Sequence, residues 1–393
     1  MILLLSGAGS RAQDAAPPSP EEAYHAEIAA IEARDGAYAG ALSEHLLGLG
    51  LELKAQGRYA EAARLFKRGV HLARINDGLH SASQIPLLEG EIATHVAAGD
   101  FERADDRLRY LYRVQRRVLS SGEALTRALL RHASWQFTAY RLRLDTDPGW
   151  RLSYMREYYL QALTDIEQRE GENSPSLQQP LMGLVKTGYL ISDHLREMLR
   201  DSSQSDLPQY GDLTTLAGRN SISRLAMERS RNDSGIQTVL ERIHDLEKGL
   251  DEAAQDGLGT ARAEAMLGDW HLYHDRPRAA REAYDRAWAE LAAAENARSA
   301  AAALFGDPVS LPDIEELRPL PSPVDPERAD ILLEFSVSDR GRAFDIKRLD
   351  DSEEFDSQAR RLIRKLRKVK FRPRFEEGAP VSTTQIVRAY DVQ

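Results

Sequence analysis

The chain has 393 residues, of which 42% are hydrophobic and 29% charged, a balance typical of a globular protein with two or three domains. Its net charge of −10 disfavours nucleic acid as the main partner. It contains no cysteine, which excludes disulfides, thiol catalysis, cysteine-ligated zinc and a lipoprotein anchor.

The first residues resemble the later half of a secretory signal peptide. Residues 1–9 are apolar, Ser10-Arg11-Ala12 supplies small residues at the −3 and −1 positions of a cleavage site, and a Pro-rich polar stretch follows. We therefore expect residues 1–20 to be a signal-peptide remnant and a mature N-terminus, and the protein to be periplasmic. The basic start of a signal peptide is missing, so the true translation start and any membrane association stay open.

Residues 21–305 predict one helix after another, because apolar positions recur at spacings of three and four. Within this region one pattern repeats: a small residue at a helix crossing, a turn, and an apolar face on the next helix. The first copy comprises Leu46, Leu49, Gly50, Leu53, Gly57, Tyr59, Ala62, Phe66 and Gly69. Two further copies comprise Gly99, Phe101, Ala104 and Leu108, and then Leu267, Gly268, Ala280, Tyr284 and Ala287.

These offsets resemble the tetratricopeptide (TPR) helix-turn-helix. The resemblance implies an α-helical solenoid whose concave face holds a segment of a partner. Between residues 120 and 260 the pattern fades, and the number of repeats there stays open. Asp147-Pro148-Gly149 breaks the helical pattern, and the Ser-rich residues 201–235 predict a long loop carrying a short helix.

Residues 306–326 hold six of the 17 prolines of the chain. Proline at this density favours an extended, stiff segment and cannot continue a helix. We predict a linker between the helical domain and a different C-terminal domain.

The C-terminal residues 327–393 predict a small domain with the order β-β-α-β. Ile331–Val337 alternates apolar and polar residues, Asp339-Arg340-Gly341 predicts a hairpin turn, and Phe344 and Ile346 continue the alternation. An amphipathic helix over residues 353–369 and a final strand over Val381–Tyr390 follow. The predicted fold class is therefore mainly α, with a helical solenoid followed by a small α+β domain.

This domain resembles the C-terminal domain of TonB-family energy transducers. The residues that carry the resemblance are Gly341, Phe371, Pro373, Gly378 and Pro380. The resemblance implies binding of a partner by strand addition at an exposed sheet edge. The edge residues predicted to pair with the partner are Val381, Thr383, Gln385, Val387 and Tyr390.

A run of basic residues follows the start of the predicted helix, with no acidic residue among them. It comprises Arg360, Arg361, Arg364, Lys365, Arg367, Lys368, Lys370, Arg372 and Arg374. Two interpretations stay open: a solvated helix face, or a patch that attracts an acidic partner such as an envelope protein or polymer.

No motif for catalysis is found in the sequence. His271 and His274 lie three residues apart without a zinc-protease spacing, and no nucleophile elbow or phosphate-binding Gly-Lys-Ser/Thr loop is present. We expect neither an enzyme nor a bound cofactor, metal or small-molecule substrate.

The sequence therefore predicts a non-catalytic periplasmic scaffold for protein partners in the cell envelope, including an outer-membrane transporter or an inner-membrane complex. Two alternatives stay open. One is a TonB-like energy transducer for outer-membrane transport whose membrane segment precedes the given start, and the other is a cytosolic TPR cochaperone.

Overall fold

The computed structural model describes residues 19–204, 216–254, 258–293, 297–350 and 352–391. Most of the predicted signal-peptide segment, residues 1–18, lies outside the described residues. The chain divides into two compact units, one up to Pro148 and one from Gly149 onward. This division falls within the Asp147-Pro148-Gly149 break that the sequence predicts.

The first unit consists of helices that pack on their chain neighbours. They are α1 (Pro20–Asp35), α2 (Leu42–Ala55), α3 (Tyr59–Asp77), α4 (Gln84–Ala97), α5 (Phe101–Val118) and α6 (Glu123–Arg141). The first helix begins at a capping box, in which Ser19 and Glu22 satisfy each other's backbone N–H groups. Apolar residues of α1 to α5 form one continuous core.

Glycines allow the close approach of α2 and α3. A Cβ at Gly50 would lie 2.7 Å from the Phe66 ring, so a larger residue would push the two helices apart. The turn between these helices uses Gly57 at φ +77°, and the turn before α5 uses Gly99 at φ +74°. The helices and glycine turns predicted for the first two copies of the repeat are therefore present.

In the described part of the second unit, six more α-helices come first. They are α7 (Gly149–Glu170), α8 (Gln178–Gln204), α9 (Leu216–Ala254), α10 (Leu258–Tyr273), α11 (Pro277–Ala293) and α12 (Ala297–Phe305). The third predicted copy of the repeat corresponds to α10 and α11, where a Cβ at Gly268 would lie 2.4 Å from the Tyr284 ring. In the predicted loop, residues 205–215 lie outside the described residues, and residues 216–235 are helical instead.

Short strands and one more helix complete the second unit. They are β1 (Val309–Leu311), β2 (Ile331–Val337), β3 (Ala343–Arg348), α13 (Asp356–Leu366), β4 (Lys370–Arg372), β5 (Arg374–Glu376), β6 (Ala379–Val381) and β7 (Thr383–Tyr390). The strands that the structure describes form three antiparallel sheets, with the strand orders β3-β2-β7, β1-β4 and β5-β6. The apolar face of α13 packs on one face of the three-stranded sheet and forms a core with β2, Phe371 and Tyr390.

The observed architecture is mainly α-helical with a small region of sheet near the C-terminus, which confirms the predicted fold class at this level. Within the described residues, no helix combines the length and the apolar composition needed to cross a membrane.

The Pro-rich segment differs from the predicted spacer. Its β1 pairs with β4, with Ser310 opposite Phe371, and Leu311 is 2% exposed. Leu320 packs against the core between α13 and the sheet. The prolines prevent a helix, but the apolar residues between them are buried, so the segment is part of the folded second unit.

Candidate functional site

The strand predicted to bind a partner lies at a sheet edge. Among the strands that the structure describes, β7 pairs with β2 alone, in the order β3-β2-β7. Leu332 of β2 lies opposite Ala389 of β7. The carbonyl of Leu332 points to the other side, toward β3, where it accepts a hydrogen bond from the N–H of Leu349 at 2.8 Å. Because the bonding direction alternates along an antiparallel ladder, Ala389 and Val387 direct their backbone groups away from β2, toward the outer edge.

Two features shorten the free part of this edge. The backbone N–H of Val324 donates to the carbonyl of Ala389 at 2.9 Å and occupies one end. At the other end Gln385 has φ +57° where the β2–β7 register shifts, which makes a bulge. Such devices limit uncontrolled pairing of edge strands. The open stretch between them centres on Val387, which is 48% exposed.

The predicted edge set is divided in the structure. The final strand is broken at Ser382, so Val381 belongs to β6 and pairs with Arg374. Thr383 begins β7 opposite Val337, whereas Tyr390 is only 2% exposed and faces the core. Only part of the predicted set is therefore available to a partner.

Gly341 and Phe371 lie against each other. The N–H of Phe371 donates to the carbonyl of Gly341 at 3.0 Å, and Gly341 has φ +70°. A Cβ at Gly341 would lie 2.0 Å from the Phe371 carbonyl oxygen. The Phe371 ring packs on Phe335 of β2 with centroids 6.0 Å apart. These two residues join the β2–β3 turn to β4.

The remaining residues of the resemblance surround the β5–β6 hairpin. Gly378 forms its turn at φ +80°, and its carbonyl accepts a hydrogen bond from Arg281 of α11 at 2.9 Å. Pro373 and Pro380 line a cleft of about 220 Å³ whose wall includes Tyr284 of α11. The hairpin thus packs on the last repeat-like helix pair.

The nine predicted basic residues do not form one patch. Six are exposed on α13 and the turn after it: Arg360, Arg361, Arg364, Lys365, Arg367 and Lys368. The other three, Lys370, Arg372 and Arg374, lie in or beside β4 and β5 and are engaged in ion pairs. The prediction of one continuous basic patch is wrong for these three. Lys370 and Arg372 are turned toward α10 and the turn after it, and Arg374 pairs with Glu376 of its own strand.

Arg372 is buried in the interior of the second unit. It pairs with Asp269 of α10 at 3.0 Å and with Asp313 of the Pro-rich segment at 3.2 Å. Asp269 also accepts a hydrogen bond from the Tyr284 hydroxyl at 2.8 Å. Burial raises the pKa of Asp269 to about 6, with Arg372 acting in the opposite direction. No spacing in the sequence marks this cluster.

Lys370 fixes the same strand to the end of α10. Its ammonium group lies 2.6 Å from Asp275 and donates to the carbonyls of Leu272 and Tyr273, each at 3.1 Å. The hydrogen bond from Lys370 lowers the pKa of the Asp275 carboxyl. The strand β4 is therefore held to α10 by two charged side chains.

In the first unit, the second copy of the repeat borders a groove of about 550 Å³. The groove is lined by α3, α4 and α5, and Arg107 pairs across it with the buried Glu91 at 2.7 Å. Its other charged or polar lining residues include Arg64, Lys67, Thr94, His95, Arg103 and Asp106.

Of the two histidines singled out in the sequence, His271 lies in the last turn of α10 and His274 directly follows this helix. His274 contacts Ser192 at 3.0 Å, and burial lowers the pKa of its ring to about 4. Burial also lowers the pKa of His271. Within the described residues, no three His, Asp or Glu side chains are grouped so that they could hold a metal ion.

Comparison with known proteins leaves the family open. No family model and no curated protein matches the chain. Among solved structures, the crystal structure of BtubC (BKLC) from P. vanneervenii is similar over 70% of this chain and 89% of that chain, with 14% identity and a TM-score of 0.36.

Proposed function

We propose that this protein is a non-catalytic scaffold of the periplasm that binds a protein partner by strand addition to its TonB-like C-terminal domain. The observation that carries the proposal is the position of β7 at the sheet edge, with Val387 exposed and its backbone groups directed outward. An extended segment of a partner would pair with these groups and continue the sheet.

The geometry restricts the partner strand to a short segment. The bulge at Gln385 and the hydrogen bond from Val324 to Ala389 leave only a few residues of β7 available. Main-chain pairing over so short a stretch gives little affinity alone. We therefore propose a second contact on the TPR-like helices, which would raise the effective concentration of the partner at β7.

The groove of the first unit is the proposed second contact. It lies beside the second copy of the repeat and offers Arg64 and Lys67 together with the Arg107–Glu91 pair. Its mixture of charges suits a polar segment of a protein. This contact is independent of strand addition and would survive loss of β7 pairing.

A photo-crosslinking amino acid at the exposed Thr384 tests strand addition in the full chain in cells. We expect a crosslinked protein adduct that is lost in Val387→Pro, because proline removes the outward N–H while leaving the β2–β7 ladder intact. The matched control is Val387→Ala, which keeps the N–H and should keep the adduct.

A crosslinker at Tyr154, which is 49% exposed on α7, controls for non-specific capture. Strand addition would be refuted by an adduct that persists in Val387→Pro. Equal loss of the adduct in Val387→Ala would also refute it, because the contact would then depend on the side chain.

A further inference from the structure

The outward face of α13 is basic from Arg360 onward, after a first turn that holds Asp356. Ala359, Leu362 and Leu366 are buried against the sheet, and six exposed basic side chains follow Asp356 on the outward face and in the turn after the helix. At 100° per residue they occupy roughly a 160° arc that includes the crest and both flanks. No acidic residue lies between Arg360 and Lys368.

These charges are almost entirely uncompensated. Arg360 lies 3.4 Å from Asp356, and Asp356 is already engaged by Arg348 at 2.5 Å. The other five make no ion pair among the described residues: Arg361, Arg364, Lys365, Arg367 and Lys368. Like charges on neighbouring turns of a helix repel each other. A dense negative surface outside the protein would offset this repulsion and attract the face electrostatically.

The shape of the face favours an extended ligand. No residue of α13 lines any of the four cavities described in the two units. The basic arc carries no aromatic side chain on which a nucleic-acid base could stack. The helix is about 16 Å long, which matches a row of headgroups rather than a single small molecule.

We propose that this face of α13 docks on the surface of a membrane containing anionic lipids. Clusters of four to eight basic residues on an amphipathic helix are suited to such surfaces. Because the apolar face of α13 is buried in the sheet, the helix cannot insert, and the attraction is electrostatic and sensitive to salt. This docking goes beyond strand addition and does not depend on it.

Vesicle co-sedimentation of the full chain tests the proposal. We expect binding to vesicles of phosphatidylcholine mixed with phosphatidylglycerol, no binding to phosphatidylcholine alone, and release as salt is raised. The pair Arg364→Glu and Lys365→Glu should abolish binding. The milder pair Arg364→Gln and Lys365→Gln should weaken it by about fivefold for each removed charge.

The matched control is Arg116→Glu with Arg117→Glu on the exposed side of α5, which changes the net charge equally. It should bind like the wild type. Equal loss in this control, or no binding to anionic vesicles, would overturn the proposal. Binding to soluble polyphosphate without binding to vesicles would also overturn it, in favour of a free polyanion.

Discussion

At the scale of single residues, Arg372 is the most consequential side chain of the C-terminal domain. Its run of basic neighbours predicts an exposed position, but the structure buries it between Asp269 and Asp313. The partners lie 103 and 59 residues away in sequence. A local pattern contains no information on pairs so far apart, so the spacing could identify the charge but not its surroundings.

We predict that Arg372→Met lowers the free energy of unfolding by about 3–5 kcal/mol, since it leaves a buried carboxylate without its partner. Urea unfolding followed by tryptophan fluorescence measures this, because Trp150, Trp270 and Trp288 lie in the second unit. The control is Arg374→Met, whose side chain is 39% exposed beside Glu376. This control should lower the free energy of unfolding by less than about 1 kcal/mol. Equal losses in the two variants would contradict a stabilising role for the buried Arg372–Asp269 pair.

Asp269 should make stability depend on pH. Its pKa is about 6 in the folded protein against an ordinary value of 3.8, so the folded state binds the proton more readily. Its contribution to stability is therefore absent above pH 6, grows as the pH falls through 6, and is complete below the unfolded value. As the pH is lowered from above 6 to below 3.8, the urea midpoint of the wild type should therefore rise relative to that of Asp269→Asn. Parallel curves would contradict the raised pKa.

At the scale of elements, the sequence predicts the parts that have a period and misses those that do not. The strands β2 and β3 and the helix α13 follow from alternation and helical spacing, although the helix is shorter than predicted. The strands β1, β4, β5 and β6 are three residues each, too short to show a period, and β1 finds its partner about 60 residues away. Pairing over that distance is decided by tertiary packing.

The turn at Gly341 offers a test of close packing between elements. Gly341→Ala would add a Cβ 2.0 Å from the Phe371 carbonyl at a positive φ, so we expect a loss of more than about 2 kcal/mol in the free energy of unfolding. The control Gly171→Ala, at φ +87° with open space around it, should cost only the backbone strain, about 1 kcal/mol. Thermal or urea unfolding compares them, and equal costs would show that Phe371 yields to the new methyl.

At the scale of the whole molecule, the sequence predicts the break at residues 147–149. It does not predict which segments fold together with the C-terminal domain. Composition suggests a spacer between a helical domain and a separate tail. The structure instead includes helices α7 to α12, the Pro-rich segment and the strands in one compact unit. Leu311, Leu320 and Val324 make this difference, since each is held by residues of the C-terminal domain.

The double attachment of β4 to α10 has a mechanical consequence. Lys370 and Arg372 hold that strand to Asp275 and Asp269, while Phe371 and Gly341 connect it to the β2–β3 turn. A partner that pulled on the sheet would therefore transmit tension to α10 through these two ion pairs, of which the Arg372–Asp269 pair is buried. Tension at the edge strand would therefore be resisted by the helices of the second unit as well as by the sheet itself.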